Sequence, residues 1–181
     1  VLGYILCLAR RLPWMDRDMR AGNWEKRPGI ALHEACLGII GVGNIGKAVA
    51  HKAKAFGMKL LGHDVVDIDA DFIAETGIEM VSRESLFERA DFVTLNCTLT
   101  PDTFHIINEQ ALEKMKESAH IINTARGPLI EEGALVQALS DGSIAGAALD
   151  VFEHEPLPKE NPLRGIDSCL MAPHNSNSSP E

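Results

Sequence analysis

The run Gly41-Val42-Gly43-Asn44-Ile45-Gly46 has the spacing GxGxxG, which suits one task above others, the holding of a pyrophosphate. It follows an apolar stretch, Cys36 to Val42, that reads as a buried strand. It opens a segment, Asn44 to Phe56, in which Ile45, Ala48, Val49 and Ala53 recur at helical spacing. In that setting Gly41 permits the tight turn, Gly43 lets backbone approach the phosphates, and Gly46 lets helix lie close to strand. Asn44, Ile45 and Gly46 then fall in a first helical turn, whose free N–H groups and partial positive charge suit an anion. Asp64 lies close to the spacing of ~20 residues at which a ribose carboxylate is expected. Its oxygens can accept bonds from ribose hydroxyls, and its charge would repel a 2′-phosphate. No Arg or Lys occurs between Leu60 and Phe72, and Asp67 and Asp69 add negative charge, so NAD is favoured over NADP. The competing readings are a turn that merely needs glycines and a surface Asp at a strand end.

The elements that must position these residues alternate along the chain. Val1 to Arg11 has the apolar spacing of a helix, limited by Pro13. Residues 14–32 carry Gly22, Pro28, Gly29, both tryptophans and many charges, and read as a long irregular arm. Beyond the first strand and helix, Gly57 closes the helix and Lys59 to Val65 is a second strand. A short helix (71–75) and a short strand (79–81) follow, then a helix with Ser82 as its N-cap. Further strands are expected at 91–96, 119–124, 144–151 and 169–172. Helices between them start at Asn108 and run from Glu131 to Ser140, the latter closed by Asp141-Gly142. Strand, helix, strand with short links implies an α/β fold, a doubly wound parallel sheet of Rossmann type with helices on both faces.

The bulk numbers agree with one domain. The chain has 181 residues, 45% of them hydrophobic and 24% charged, enough for a packed core. A net charge of −9 disfavours nucleic acid and anionic membrane as partners. No apolar run reaches the ~20 residues of a membrane span. Cys7, Cys36, Cys97 and Cys169 form no CxxC pair, and three sit in apolar runs, which fits a reducing, cytoplasmic setting. The histidines lack metal-ligand spacing, so no metal site is expected. Asn96-Cys97-Thr98 and Asn177-Ser178-Ser179 match glycan acceptors in form only.

Three further segments put polar groups just after predicted strands: Asn123 to Gly127, Asp150 to Pro156, and Ala172-Pro173-His174. Ligands bind at the carboxyl ends of strands in such sheets. These segments, with Leu99-Thr100-Pro101-Asp102-Thr103 and Gly146 to Phe152, give the chain an ordered set of motifs that resembles the D-isomer-specific 2-hydroxyacid dehydrogenases, phosphoglycerate and glycerate dehydrogenases among them. The resemblance runs over essentially the whole chain. It implies that Arg126 holds the substrate carboxylate, that His174 exchanges the hydroxyl proton, and that Glu155 pairs with and orients His174. Glu153 competes for that last role. It further implies that Cys97, Thr98, Thr103, Thr124, Ala125, Asp150, Arg126 and His174 border the cofactor, with Asp150 near the nicotinamide carboxamide. The partner implied is a small 2-hydroxy or 2-keto acid.

Two departures stand out. Asn175-Ser176-Asn177 follow the His where the family often has two small residues, and Asn96-Cys97-Thr98 stand where a Pro is frequent. Members also have a second, lid-like substrate domain, which is expected to lie largely outside this segment. Val1 opens within a helical pattern and Ser179-Pro180-Glu181 reads as the beginning of another helix, so a longer protein is expected. Residues 1–181 are then the NAD-binding domain, with 13–35 as a homodimerisation arm carrying Trp14 and Trp24. A non-catalytic, NAD-sensing corepressor-like scaffold on the same fold is the alternative.

Overall fold

A computed structural model describes residues 1–175. The departure at Ser176-Asn177, the acceptor-like Asn177 triplet and the expected terminal helix lie outside the described residues. Among the described residues seven strands form one sheet: β1 (Cys36–Ile40), β2 (Lys59–His63), β3 (Glu79–Met80), β4 (Phe92–Leu95), β5 (His120–Asn123), β6 (Gly146–Leu149) and β7 (Cys169–Met171). The order is β3-β2-β1-β4-β5-β6-β7, and every pairing is parallel. Strands are added on one side of β1 up to β3 and on the other side from β4 onward, and in such sheets a ligand crevice lies at the carboxyl ends where the order switches.

Strands buried on both faces read as continuous apolar runs, and their side chains divide between two cores. Leu37, Ile39, Leu60, Phe92, Ile122 and Ala148 point to one face, under α1 (Leu2–Arg10), α3 (Asn44–Ala55) and α4 (Ala70–Thr76). Ile40, Leu61, Val93, Leu95, Ile121, Ala147 and Leu149 point to the other, under α5 (Arg83–Arg89), α6 (Glu109–Glu113) and α7 (Glu132–Asp141). The caps follow from short polar side chains. Asp69 accepts from Phe72 N–H, Ser82 from Ser85 N–H and Asn108 from Ala111 N–H. Gly57, Gly77 and Gly142 end their helices in the left-handed region.

The arm differs from its sequence reading. Leu12–Arg20 forms α2, with Pro13 in its first turn, where a missing N–H costs nothing. The break from α1 is made by Arg11, which adopts φ 51°. Trp14 is half-buried and donates its Nε1–H to the Asp167 carbonyl at 2.8 Å, while Arg17 pairs with the Asp167 carboxylate at 2.8 Å. α2 is thus pinned to the loop ahead of β7. Only residues beyond Ala21 run as the expected irregular arm, and there Trp24 is 79% exposed. Among the described residues no helix is long and apolar enough to cross a membrane.

Candidate functional site

Because all strands run in parallel, each segment singled out in the sequence emerges at the same edge. The glycine loop follows β1, Asp64 follows β2, Cys97-Thr98 follow β4, Thr124 to Arg126 follow β5, Asp150 follows β6 and His174 follows β7. Four strand steps separate the ends of β2 and β6, or roughly 19 Å at the usual strand spacing. That is a span on the scale of an extended dinucleotide.

The three glycines of the loop answer to different demands. Gly41 sits at φ 89°, and a Cβ there would lie 2.6 Å from Cys97 N. At Gly46 a Cβ would meet the Gly41 carbonyl oxygen at 2.1 Å. At Gly43 a Cβ would meet nothing within 4 Å, and its φ is −75°. Among the described residues, therefore, no protein atom requires glycine at 43. The open space there suits a ligand that must come close to backbone. Among the described residues no side chain caps the N-terminus of α3, so its first N–H groups are available to an anion. Asp64 braces the loop from the neighbouring strand: Oδ2 accepts Val42 N–H at 2.7 Å, and Oδ1 accepts Val65 N–H at 2.7 Å and Val66 N–H at 3.2 Å. Three large apolar side chains stand in the open beside it, Ile45 at 64%, Val65 at 93% and Val66 at 62% exposure. Such a cluster next to a carboxylate suits a flat aromatic group attached to a ribose. The residues present fit an NAD molecule. Thr103 closes the loop after β4, where its hydroxyl donates to the Thr98 carbonyl at 2.7 Å.

At the other half of the edge lie the polar groups. His174 Nδ1 is 2.7 Å from Glu155 Oε2. Glu153, the competitor, reaches His105 Nε2 at 2.7 Å instead. Glu155 is also held by Phe152 N–H at 3.0 Å. Desolvation works to raise the Glu155 carboxyl, but the hydrogen bonds from His174 and Phe152 outweigh it, so the group lies below the ordinary carboxylate range. An ionised Glu155 accepts from Nδ1–H, which leaves His174 Nε2 as the ring's proton acceptor.

Arg126 is exposed, and its Nη1 donates to the Ala125 carbonyl at 2.6 Å. The loop that carries it is shaped by Asn123, a fully buried side chain to which the sequence pattern assigns no role. Asn123 Nδ2 donates to the Arg126 carbonyl at 2.9 Å, and Oδ1 accepts Ala125 N–H at 3.0 Å. At Gly127 a Cβ would lie 1.9 Å from the Phe152 carbonyl oxygen. Glycine there lets the Arg126 loop touch the loop that carries Glu155. Asp150 is fully buried and its Oδ1 accepts the Tyr4 hydroxyl at 3.2 Å and Asn175 N–H at 3.1 Å. Tyr4 belongs to no motif; its one signal in the sequence is a hydroxyl within the apolar run from Val1 to Ala9.

A sheet edge with an uncapped helix end after β1 and a His174–Glu155 pair after β7 has the layout of a dinucleotide-binding α/β domain. Residues 2–176 match the model of the D-isomer specific 2-hydroxyacid dehydrogenase, NAD binding domain, and the chain belongs to that family. It is similar to a glyoxylate reductase of Korarchaeum cryptofilum, 42% identical over 98% of this chain and 55% of the relative. It is 44% identical to a D-3-phosphoglycerate dehydrogenase of Methanocaldococcus jannaschii, over 99% of this chain and 34% of the relative. A solved D-lactate dehydrogenase from Aquifex aeolicus, complexed with NAD and lactic acid, superposes with a TM-score of 0.90. That likeness holds at 31% identity, over 98% of this chain and 58% of the other. The chain therefore spans about a third to somewhat over half of these relatives.

Proposed function

We propose that the chain is the cofactor domain of an NAD-dependent oxidoreductase acting on a small D-2-hydroxy acid, in the manner of phosphoglycerate dehydrogenase. The observation that carries this reading is the Glu155–His174 pair, set on the same sheet edge as a glycine loop with an uncapped helix end. NAD, when bound, supplies the acceptor for the hydride that leaves substrate C2. Gly41, Gly43, Asn44, Ile45 and Gly46 hold its pyrophosphate, and Asp64 takes the adenosine ribose. Cys97, Thr98, Thr103, Thr124, Ala125 and Asp150 border it towards the nicotinamide end. Arg126 holds the substrate carboxylate with its planar fork of donors. His174 takes the substrate hydroxyl proton at Nε2 during oxidation and returns it during reduction of the keto acid, while Glu155 keeps the ring in the required tautomer.

The greater length of the relatives supports a substrate-closing domain outside residues 1–181. The exposed Trp24 supports residues 13–35 as a homodimer arm, in which Trp14 braces α2 from within. The named relatives are reductases and dehydrogenases, and no observation favours the scaffold reading.

The test is NADH consumption by the full-length protein with glyoxylate, pyruvate, hydroxypyruvate and its 3-phosphate. Turnover of at least one is expected, with His174→Asn lowering kcat by about 100-fold or more. Absence of turnover with every acid would contradict the reading.

A further inference from the structure

Helix α1 lies on the sheet face over β5 and β6, the half that α3 and α4 leave uncovered. It buries Ile5, Leu8 and Ala9 there. Tyr4 stands one residue from Ile5 and is half-buried, and its hydroxyl reaches past this apolar stripe to a carboxylate 146 positions away. That carboxylate, Asp150, is fully buried. Its Oδ1 takes both the Tyr4 hydroxyl and the N–H of Asn175, the residue after His174. His174 itself sits at φ 53°, a left-handed conformation that a non-glycine residue keeps only when its surroundings hold it there. Two anchors thus act on this histidine. Glu155 fixes the ring, and the Asp150–Asn175 bond fixes the backbone on which the ring is carried.

We propose that Tyr4 is a positioning residue for His174: its hydroxyl steadies the Asp150 carboxylate that receives Asn175 N–H, and so maintains the left-handed backbone at the histidine. The inference rests on the reading that His174 transfers the substrate proton. Burial first, then the charge of Asp150 and the hydrogen bond to it, push the Tyr4 phenol up to about 12. The hydroxyl therefore remains a donor across the pH range of ordinary assays. Removing it leaves a buried carboxylate with a donor lost, a situation that favours rearrangement of the remaining partners.

The experiment compares wild type with Tyr4→Phe in the full-length protein by steady-state kinetics, NAD titration and the amide NMR shifts of His174 and Asn175. The expected result is a kcat lowered between about 10- and 100-fold, as for a catalytic group displaced by a fraction of an ångström to an ångström. KM for the keto acid and Kd for NAD stay within about twofold, changes too small to carry a tenfold effect. Both amide shifts move. An unchanged kcat overturns the proposal, as does a weakened NAD affinity with kcat retained, which would place Tyr4 on the cofactor instead. Should wild type turn over no keto acid, the functional reading fails separately, and the amide shifts alone decide: unmoved shifts overturn the role of Tyr4, moved shifts uphold it. If Tyr4→Phe does not fold, p-aminophenylalanine and 4-fluorophenylalanine at position 4 repeat the comparison as donor against non-donor. Equal kinetics for those two would also overturn it.

Discussion

Gly43 and Gly46 are the same residue type three positions apart, yet the structure gives them opposite sensitivities. A methyl group at 46 collides with the Gly41 carbonyl. Gly46→Ala is expected to destabilise the fold by about 1–3 kcal/mol, the usual cost of forcing extra volume into a packed site. At 43 the added methyl meets no atom of the described residues. Gly43→Ala is expected to keep the thermal midpoint of wild type and to weaken NAD binding by about tenfold, equivalent to ~1.4 kcal/mol. Thermal melts and calorimetric titration of both variants check this, and a Gly43→Ala protein that binds NAD as well as wild type would refute it. For Glu155→Gln we expect retention of NAD affinity with a kcat lower by about 10- to 100-fold, because the neutral amide no longer holds the ring nitrogen as a carboxylate does. Stopped-flow or steady-state rates in the full-length protein measure it. The glycine spacing and the strand-end positions of Arg126 and His174 were legible at this scale. The choice of Glu155 over Glu153 was only half legible, because two glutamates two residues apart differ in where the loop turns, and sequence spacing does not state the turn. The bond from Tyr4 to Asp150 was not legible at all, since it joins residues 146 apart.

At the scale of elements, most strands and helices were readable because apolar periodicity and caps agreed. Every strand is shorter than its apolar run, because end residues leave the ladder for the loops at either end of the sheet. Val42 and Val65 are examples, since both give their N–H to Asp64 rather than to a neighbouring strand. The arm was less legible. Pro13 looked like a stop, but a proline in a first helical turn gives up no bond, and the stop is the left-handed Arg11, a conformation that arginine does not advertise. The loop contact at Gly127 belongs here too. Gly127→Ala places a methyl on the Phe152 carbonyl and must push the Arg126 loop away from the Glu155 loop. We expect an activity loss of about 100-fold from that displacement, together with a lower melting temperature. A variant with wild-type kinetics would show that the two loops need not touch.

For the whole molecule, the edge opposite the site sets a pH limit. His120 at the start of β5 is buried against Phe92, with ring centroids 5.2 Å apart. Burial, reinforced by the Arg11 charge, lowers its pKa to about 4. The unfolded chain protonates this histidine near its ordinary pKa of about 6.5, so the unfolded state binds the extra proton first. The folded state is thus fully favoured above about 6.5 and loses stability as pH falls from there towards 4, by on the order of 2–3 kcal/mol. Denaturant melts across that range are expected to show the loss, and His120→Phe is expected to flatten it; an equal slope in the variant would assign the loss to other groups. At this scale too, residues 41–64 and the neighbouring strand ends are expected to bind NAD. Isothermal titration of NAD into the protein tests it most directly. Saturable binding below the millimolar range is expected, and Gly43→Ala should weaken it without changing the melting temperature. No detectable binding at millimolar NAD would contradict it.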